Sequence, residues 1–180
     1  MLRKLGPWLM FVAALFVMSL GIALVTRGNL GTTPISSLPL VSSYASSLTF
    51  GETTFLINLL FVAAQWVLLR RSINKVLLLA QIPITLAFSY FIDTSMKFTE
   101  FLSSDVYWKC LAVSMLGNMV LGLGVALEVF SGAAALPGEG LVLAVSTVLH
   151  KPFSSVKIAN DVILVLLALL LSYFVFHGIR

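Results

Sequence analysis

Asp161 stands in the run NDVILVLLALLL, with Asn160 beside it and Lys157 four residues earlier. An ionisable side chain at the centre of a membrane helix costs about 2.5–3.5 kcal/mol on insertion scales, so it faces a cavity or a partner. Two roles fit Asp161: a proton or cation site, or the ion-pair partner of Lys157, since residues four apart share a helix face. Glu139 sits in PGEG, where Gly138 and Gly140 permit close backbone approach and unusual dihedrals. It either lines a cavity or stabilises the N-terminus of a helix over 140–149, a favourable place for a carboxylate. In TTPISS, the hydroxyls of Thr32, Thr33, Ser36 and Ser37 surround the start of a helix at Pro34. Free N–H groups at such a start suit an anion or a carboxylate, and capping of that helix is the plainer role. Asn58, Gln65 and Asn118 are expected to hydrogen-bond between helices. The expected solute-contacting set is Thr32, Thr33, Ser36, Ser37, Asn58, Gly138, Glu139, Gly140, Asn160 and Asp161.

Other chemistries find no support in the residue pattern. Cys110 is the single cysteine, and His150 and His177 have no partner at ligand spacing, so neither a disulfide framework nor a metal site is expected. Phosphate-loop, dinucleotide, zincin and nucleophile-elbow motifs do not occur. No cofactor, no enzymatic activity and no nucleic-acid partner are expected.

The elements that must position these residues are membrane helices. Of 180 residues, 59% are hydrophobic and 10% charged, with mean hydropathy +1.07, against about 25% charged in a soluble domain. Apolar runs at about 8–26, 53–69, 76–92, 109–129 and 158–176 each approach the roughly 17–25 residues a spanning helix needs. The first run follows MLRK but is too long for the 7–15-residue core of a signal peptide, so it reads as a retained helix. Trp8, Trp66, Tyr107 and Trp108 fit interfacial anchors.

Charge orients these runs. Arg3 and Lys4 precede the first, and Arg70, Arg71 and Lys75 separate the second from the third. Both clusters fall on one side only if the polar stretch 31–50 does not cross, which satisfies the positive-inside rule. Lys151 and Lys157 then also lie inside, against Arg27, Lys97, Lys109 and Arg180 outside. The expected location is a bacterial cytoplasmic (inner) membrane, multi-pass, with the N-terminus cytoplasmic.

An offset of 103 residues superimposes 17–68 on 120–171, matching Gly21 with Gly124, Pro34 with Pro137 and Phe50 with Phe153. The offset sets Ser19-xxx-Ala23 on Gly122-xxx-Ala126, small-residue pairs suited to close helix approach. It also sets TTPISSLP on ALPGEGLV and Asn58 on Asp161. The charge reading gives the two repeats opposite orientation, the inverted plan of many secondary transporters. Residues 32–48 and 135–149 are expected to be re-entrant or half-spanning helices, because broken backbone at membrane depth needs protein or a wet cavity around it. The counterpart of the third run would begin near 178, where the sequence reads HGIR, so a sixth span is expected to be missing and an oligomeric partner would cover the exposed face.

LGTTPISSLP, FGETTFLINLLFVAAQWVLLRR, ALPGEGLVLAVS and KPFSSVKIANDV together resemble the uncharacterised bacterial integral membrane proteins of the YczE and YitT type. That resemblance covers nearly the whole chain and implies the architecture without a substrate. The expectation is therefore an all-α polytopic membrane protein forming a single membrane domain, 1–180. Repeat one spans about 8–92 and repeat two, truncated, about 109–180. Five full spans and two broken helices would form a small secondary transporter for a small organic solute or ion, in contact with the lipid bilayer. The competing expectation is a non-transporting membrane partner, or a substrate-binding subunit of a larger complex.

Overall fold

The computed structural model describes residues 2–69 and 75–176; Arg70, Arg71, His177 and Arg180 lie outside these, as do the side chains of Arg3, Lys4 and Lys75. Among the described residues the chain is all-helical: α1 (Leu2–Arg27), α2 (Pro34–Ala45), α3 (Phe50–Leu69), α4 (Lys75–Phe98), a 3-10 turn (Glu100–Leu102), α5 (Tyr107–Ser131), α6 (Pro137–Leu149) and α7 (Phe153–Phe176). Five of them, α1, α3, α4, α5 and α7, are long and apolar enough to cross a membrane. With 12 and 13 residues, α2 and α6 reach only about 18–20 Å at about 1.5 Å per residue, short of the roughly 30 Å hydrocarbon core. The chain is a polytopic all-α membrane protein with two short broken helices.

Local caps set several helix ends. α3 begins at Phe50 because Thr49 and Glu52 form a reciprocal box: the Thr49 N–H donates to Glu52 Oε2 at 2.8 Å, and the Glu52 N–H donates to Thr49 Oγ1 at 3.1 Å. α5 ends at Gly132, which takes a left-handed φ of 56°, the usual conformation after a helix end. α6 ends at His150, also left-handed, with its ring Nδ1 2.7 Å from the Thr147 carbonyl.

The chain forms two compact units: Met1–Thr33 with Ala87–Ala135, and Pro34–Leu86 with Leu136–Arg180, so that α4 contributes to both. The first unit is built on α1 against α5. Gly124 faces Met18, Gly21 faces Leu121, Gly117 faces Val25, and Gly28 faces Ser114. Each step of three or four residues up α1 is a step of three or four down α5, so the two helices run antiparallel. Gly117 and Gly124 lie seven apart on α5, as do Gly21 of α1 and Gly28 just past its end, and they let the backbones touch. This corrects the expected small-residue pairing: Gly122 is exposed with open space around it, while Ser19 is buried against α4, its hydroxyl 3.1 Å from that of Ser95. Arg27 closes the same side by donating to the Met96 carbonyl at 2.8 Å.

In the second unit α2 packs on α7 and α3, and α6 packs on α3 and α7. The 103-residue offset carries Pro34 and Phe50, the starts of α2 and α3, onto Pro137 and Phe153, the starts of α6 and α7. It also exchanges the α2–α7 contact with the α6–α3 contact. Neither compact unit coincides with one repeat; each draws elements from both.

Candidate functional site

Both short helices open on proline, whose missing N–H would be unsatisfied in a first turn anyway and whose fixed φ suits that position. α6 starts at Pro137 behind an extended Leu136, with no side-chain cap. Its start is three residues earlier than the expected 140, so the half-buried Glu139 lies within the first turn and does not precede it. A carboxylate there still opposes the positive end of the helix dipole.

The first turns of α2 and α6 meet. A Cβ at Gly138 would collide with the Cδ1 of Ile35, and Ile35 is the residue that the 103-residue offset places on Gly138. Equivalent positions of the two short helices thus touch each other, the end of the Ile35 side chain lying against Gly138. Two residues on, a Cβ at Gly140 would lie 2.6 Å from Gln65 Oε1 and 3.0 Å from Gln81 Nε2. These two buried amides bond each other, Gln65 Nε2 donating to Gln81 Oε1 at 3.1 Å and Gln81 Nε2 donating to Gln65 Oε1 at 3.4 Å. Gln65 Nε2 also donates to the Pro137 carbonyl at 3.1 Å, tying α3 and α4 to the start of α6.

Four residues beyond Gln81, and therefore on the same face of α4, Thr85 is buried with no partner for its hydroxyl. Between them Pro83 supplies no N–H to the Leu79 carbonyl. On α2, Pro39 likewise leaves the Ile35 carbonyl without its helical donor, and Thr53 Oγ1 donates to the Pro39 carbonyl at 2.9 Å. A buried hydroxyl left unsatisfied costs about 1–3 kcal/mol, so Thr85, two residues past Pro83 on α4, is not explained by packing alone.

The candidate residues fall as follows. Ser36 is buried on α2, while Ser37 donates to the Pro34 carbonyl at 2.7 Å within its own first turn. Thr32 and Thr33 belong to the other compact unit, where Thr32 Oγ1 is buried without a partner. Asn58 donates to the Thr54 carbonyl at 2.9 Å, and Asn118 donates to the Ser114 carbonyl at 2.9 Å. Both amides satisfy their own helix four residues back instead of bridging helices as expected. Asp161 Oδ1 accepts from Lys157 Nζ at 2.6 Å. Thr54 and Asn58 occupy the positions equivalent to Lys157 and Asp161, so each repeat carries one polar i,i+4 contact eight residues into its second long helix. Asn160 is half-buried with an unpartnered Nδ2.

Gln81 and Thr85 were absent from the expected set. The available signal was their spacing of four, on either side of Pro83 in an otherwise apolar run.

A family model described as a family of unknown function (DUF6198) matches residues 5–180. The chain belongs to that family. The match takes in all seven helices from Leu5 onward, both short proline-started ones included. No curated protein and no solved structure matches the chain, so the chemistry of this family has to be argued from the site itself.

Proposed function

We propose that the protein is a small secondary transporter of inverted-repeat design, with its solute site at the meeting of the first turns of α2 and α6. The observation that carries this reading is the contact between Ile35 and Gly138, equivalent residues of two half-length helices. Half-helix starts that face one another bring two sets of free N–H groups and two positive dipole ends to one place, the arrangement by which discontinuous helices hold a solute near the midplane. Antiparallel α1 and α5, equivalent helix starts and exchanged contacts support an inverted repeat. Ser36, Glu139, Gly138, Gly140 and the Thr85 hydroxyl would contact solute. Likeness to the YczE and YitT type, an inner-membrane location and a cytoplasmic N-terminus complete the proposal.

Asp161 carries the coupling charge in this scheme. It lies about 12 Å along α7 from Phe153 at about 1.5 Å per residue, well inside the span, and its partner Lys157 is close enough to trade its ion pair for a proton or cation. Ligands found by thermal shift, which reports binding to the folded state, give the solute to follow in proteoliposomes. Asp161→Asn is expected to lower its flux at least tenfold, with a single size-exclusion peak and a retained melting transition as the control that the chain still folds. Unchanged flux would remove Asp161 from the mechanism. A protein that no solute in the screen stabilises, and that copurifies with a stoichiometric membrane partner, would replace transport by the partner reading.

A further inference from the structure

We propose that the groove between α6 and α7 is a binding site for one anionic phospholipid, with an acyl chain along the groove and the headgroup phosphate on Lys151. The groove encloses about 390 Å³ and is walled by Val142, Val145 and Leu149 of α6 and by Val156, Ala159 and Ile163 of α7. In a membrane helix pair such a wall contacts lipid tails, so apolar lining alone selects no particular lipid. Two polar features make this groove selective.

The first is the cation at its mouth. Lys151 lines the groove at the turn between the helices, and that turn is fixed. The Lys151 N–H donates to the Ser146 carbonyl at 3.2 Å, Ser146 Oγ donates to the Lys151 carbonyl at 2.6 Å, and His150 holds a φ of 53°. The backbone therefore presents the ammonium at one end of an apolar slot, the layout of a lipid with its phosphate at the polar end of its chains. Lys157, the next cation along α7, is engaged by Asp161. The second feature is Asn160, deeper in the groove, whose Nδ2 is shielded from solvent and has no acceptor. A phospholipid carries ester carbonyls below its phosphate, and these are acceptors of the kind this amide lacks.

The other repeat provides an internal comparison. There Leu48 occupies the position of Lys151 and Glu52 that of Ser155, and Thr53 bonds the Pro39 carbonyl between α2 and α3. The first turn of α3 thus carries an acid where the turn between α6 and α7 carries a cation, so a negative headgroup is attracted to one and repelled by the other. Lys151 also belongs to the basic set that the charge pattern places inside, the side on which anionic lipids give the surface its negative potential.

The test is native mass spectrometry of the full chain after exposure to phosphatidylglycerol or phosphatidylcholine in matched micelles. One phosphatidylglycerol per chain should be retained, at least fivefold more than phosphatidylcholine. Lys151→Gln should abolish that preference, and Val145→Trp, which fills the slot, should lower retention of both lipids. Lys97→Gln, an exposed lysine beyond the groove, should change neither. Equal retention of the two lipids by the unaltered chain, or an unchanged preference in Lys151→Gln, would overturn the proposal. Lys151 is exposed, so its replacement leaves the fold intact and the test stands even if the tryptophan variant fails to fold.

Discussion

Gly124→Ala should strip the protein of much of its thermal stability, while Gly122→Ala, two residues earlier on the same helix, should leave it unchanged. A methyl at Gly124 would lie 2.5 Å from Met18 Cγ and 2.7 Å from the Met18 backbone nitrogen, whereas a methyl at Gly122 meets nothing within 4 Å. Overpacking a core usually costs about 1–3 kcal/mol because side chains can shift. Here the obstacle includes backbone, so α1 and α5 must move apart along a seam that also holds Gly21, Gly28 and Gly117. The cost should exceed that range. Gly21→Ala should do the same damage, since its methyl would stand 2.5 Å from the Leu121 nitrogen and 2.6 Å from its Cα. At Gly122 the alanine gains about 1 kcal/mol of helix propensity in a soluble scale, which makes a neutral or slightly positive shift the expected result there. Detergent-phase melting with size-exclusion profiles separates the outcomes; equal shifts at 122 and 124 would mean that the seam is not where the glycines place it.

Gln65→Leu is the second large effect. It removes the donor to Gln81 Oε1 and the acceptor for Gln81 Nε2, leaving both ends of that buried amide unpaired, and it cuts the tie to the Pro137 carbonyl, which keeps its helical donor. By the measure of soluble proteins two such groups cost about 2–6 kcal/mol, but interhelical bonds inside membranes average only about 0.6 kcal/mol because the unpacked helices also find partners. The membrane figure governs, applied to these two groups, and gives an expected loss of about 1–2 kcal/mol. Gln65→Leu/Gln81→Leu should lose less than the two single changes added together, because the mutual bond is counted in both. Additive losses in equilibrium unfolding would show that the amides act separately.

The parts of this structure visible in the sequence are those that a local rule encodes. Five apolar runs gave five helices, and Pro34 and Pro137 with their polar neighbours gave the two short ones, because hydropathy and proline act within one segment. The spacing of Lys157 and Asp161 already contained their ion pair. The division into two compact units was not legible, since it depends on which long helices meet. Nor was the α1–α5 seam: Ser19, Ala23, Gly122 and Ala126 are as small as Gly21 and Gly124, and only the partner helix decides which face is used. Asn58 and Asn118 turned to their own helix carbonyls, a choice that residue type leaves open. Gln81 and Thr85 look like isolated polar residues until Gln65 and Pro137 arrive from distant parts of the chain.

The contact between the first turns of α2 and α6 can be measured by oxidative cross-linking. In a Cys110→Ala background, which removes the natural thiol, Ile35→Cys/Gly138→Cys places two thiols at the contact, and replacing isoleucine also frees the space that the new side chain at 138 needs. In membranes, mild oxidation should convert most of the protein to an intramolecular disulfide, found as a bridged peptide linking the starts of the two short helices. Two free thiols after oxidation, in a protein that still folds, would contradict the meeting of the helices and with it the proposed solute site.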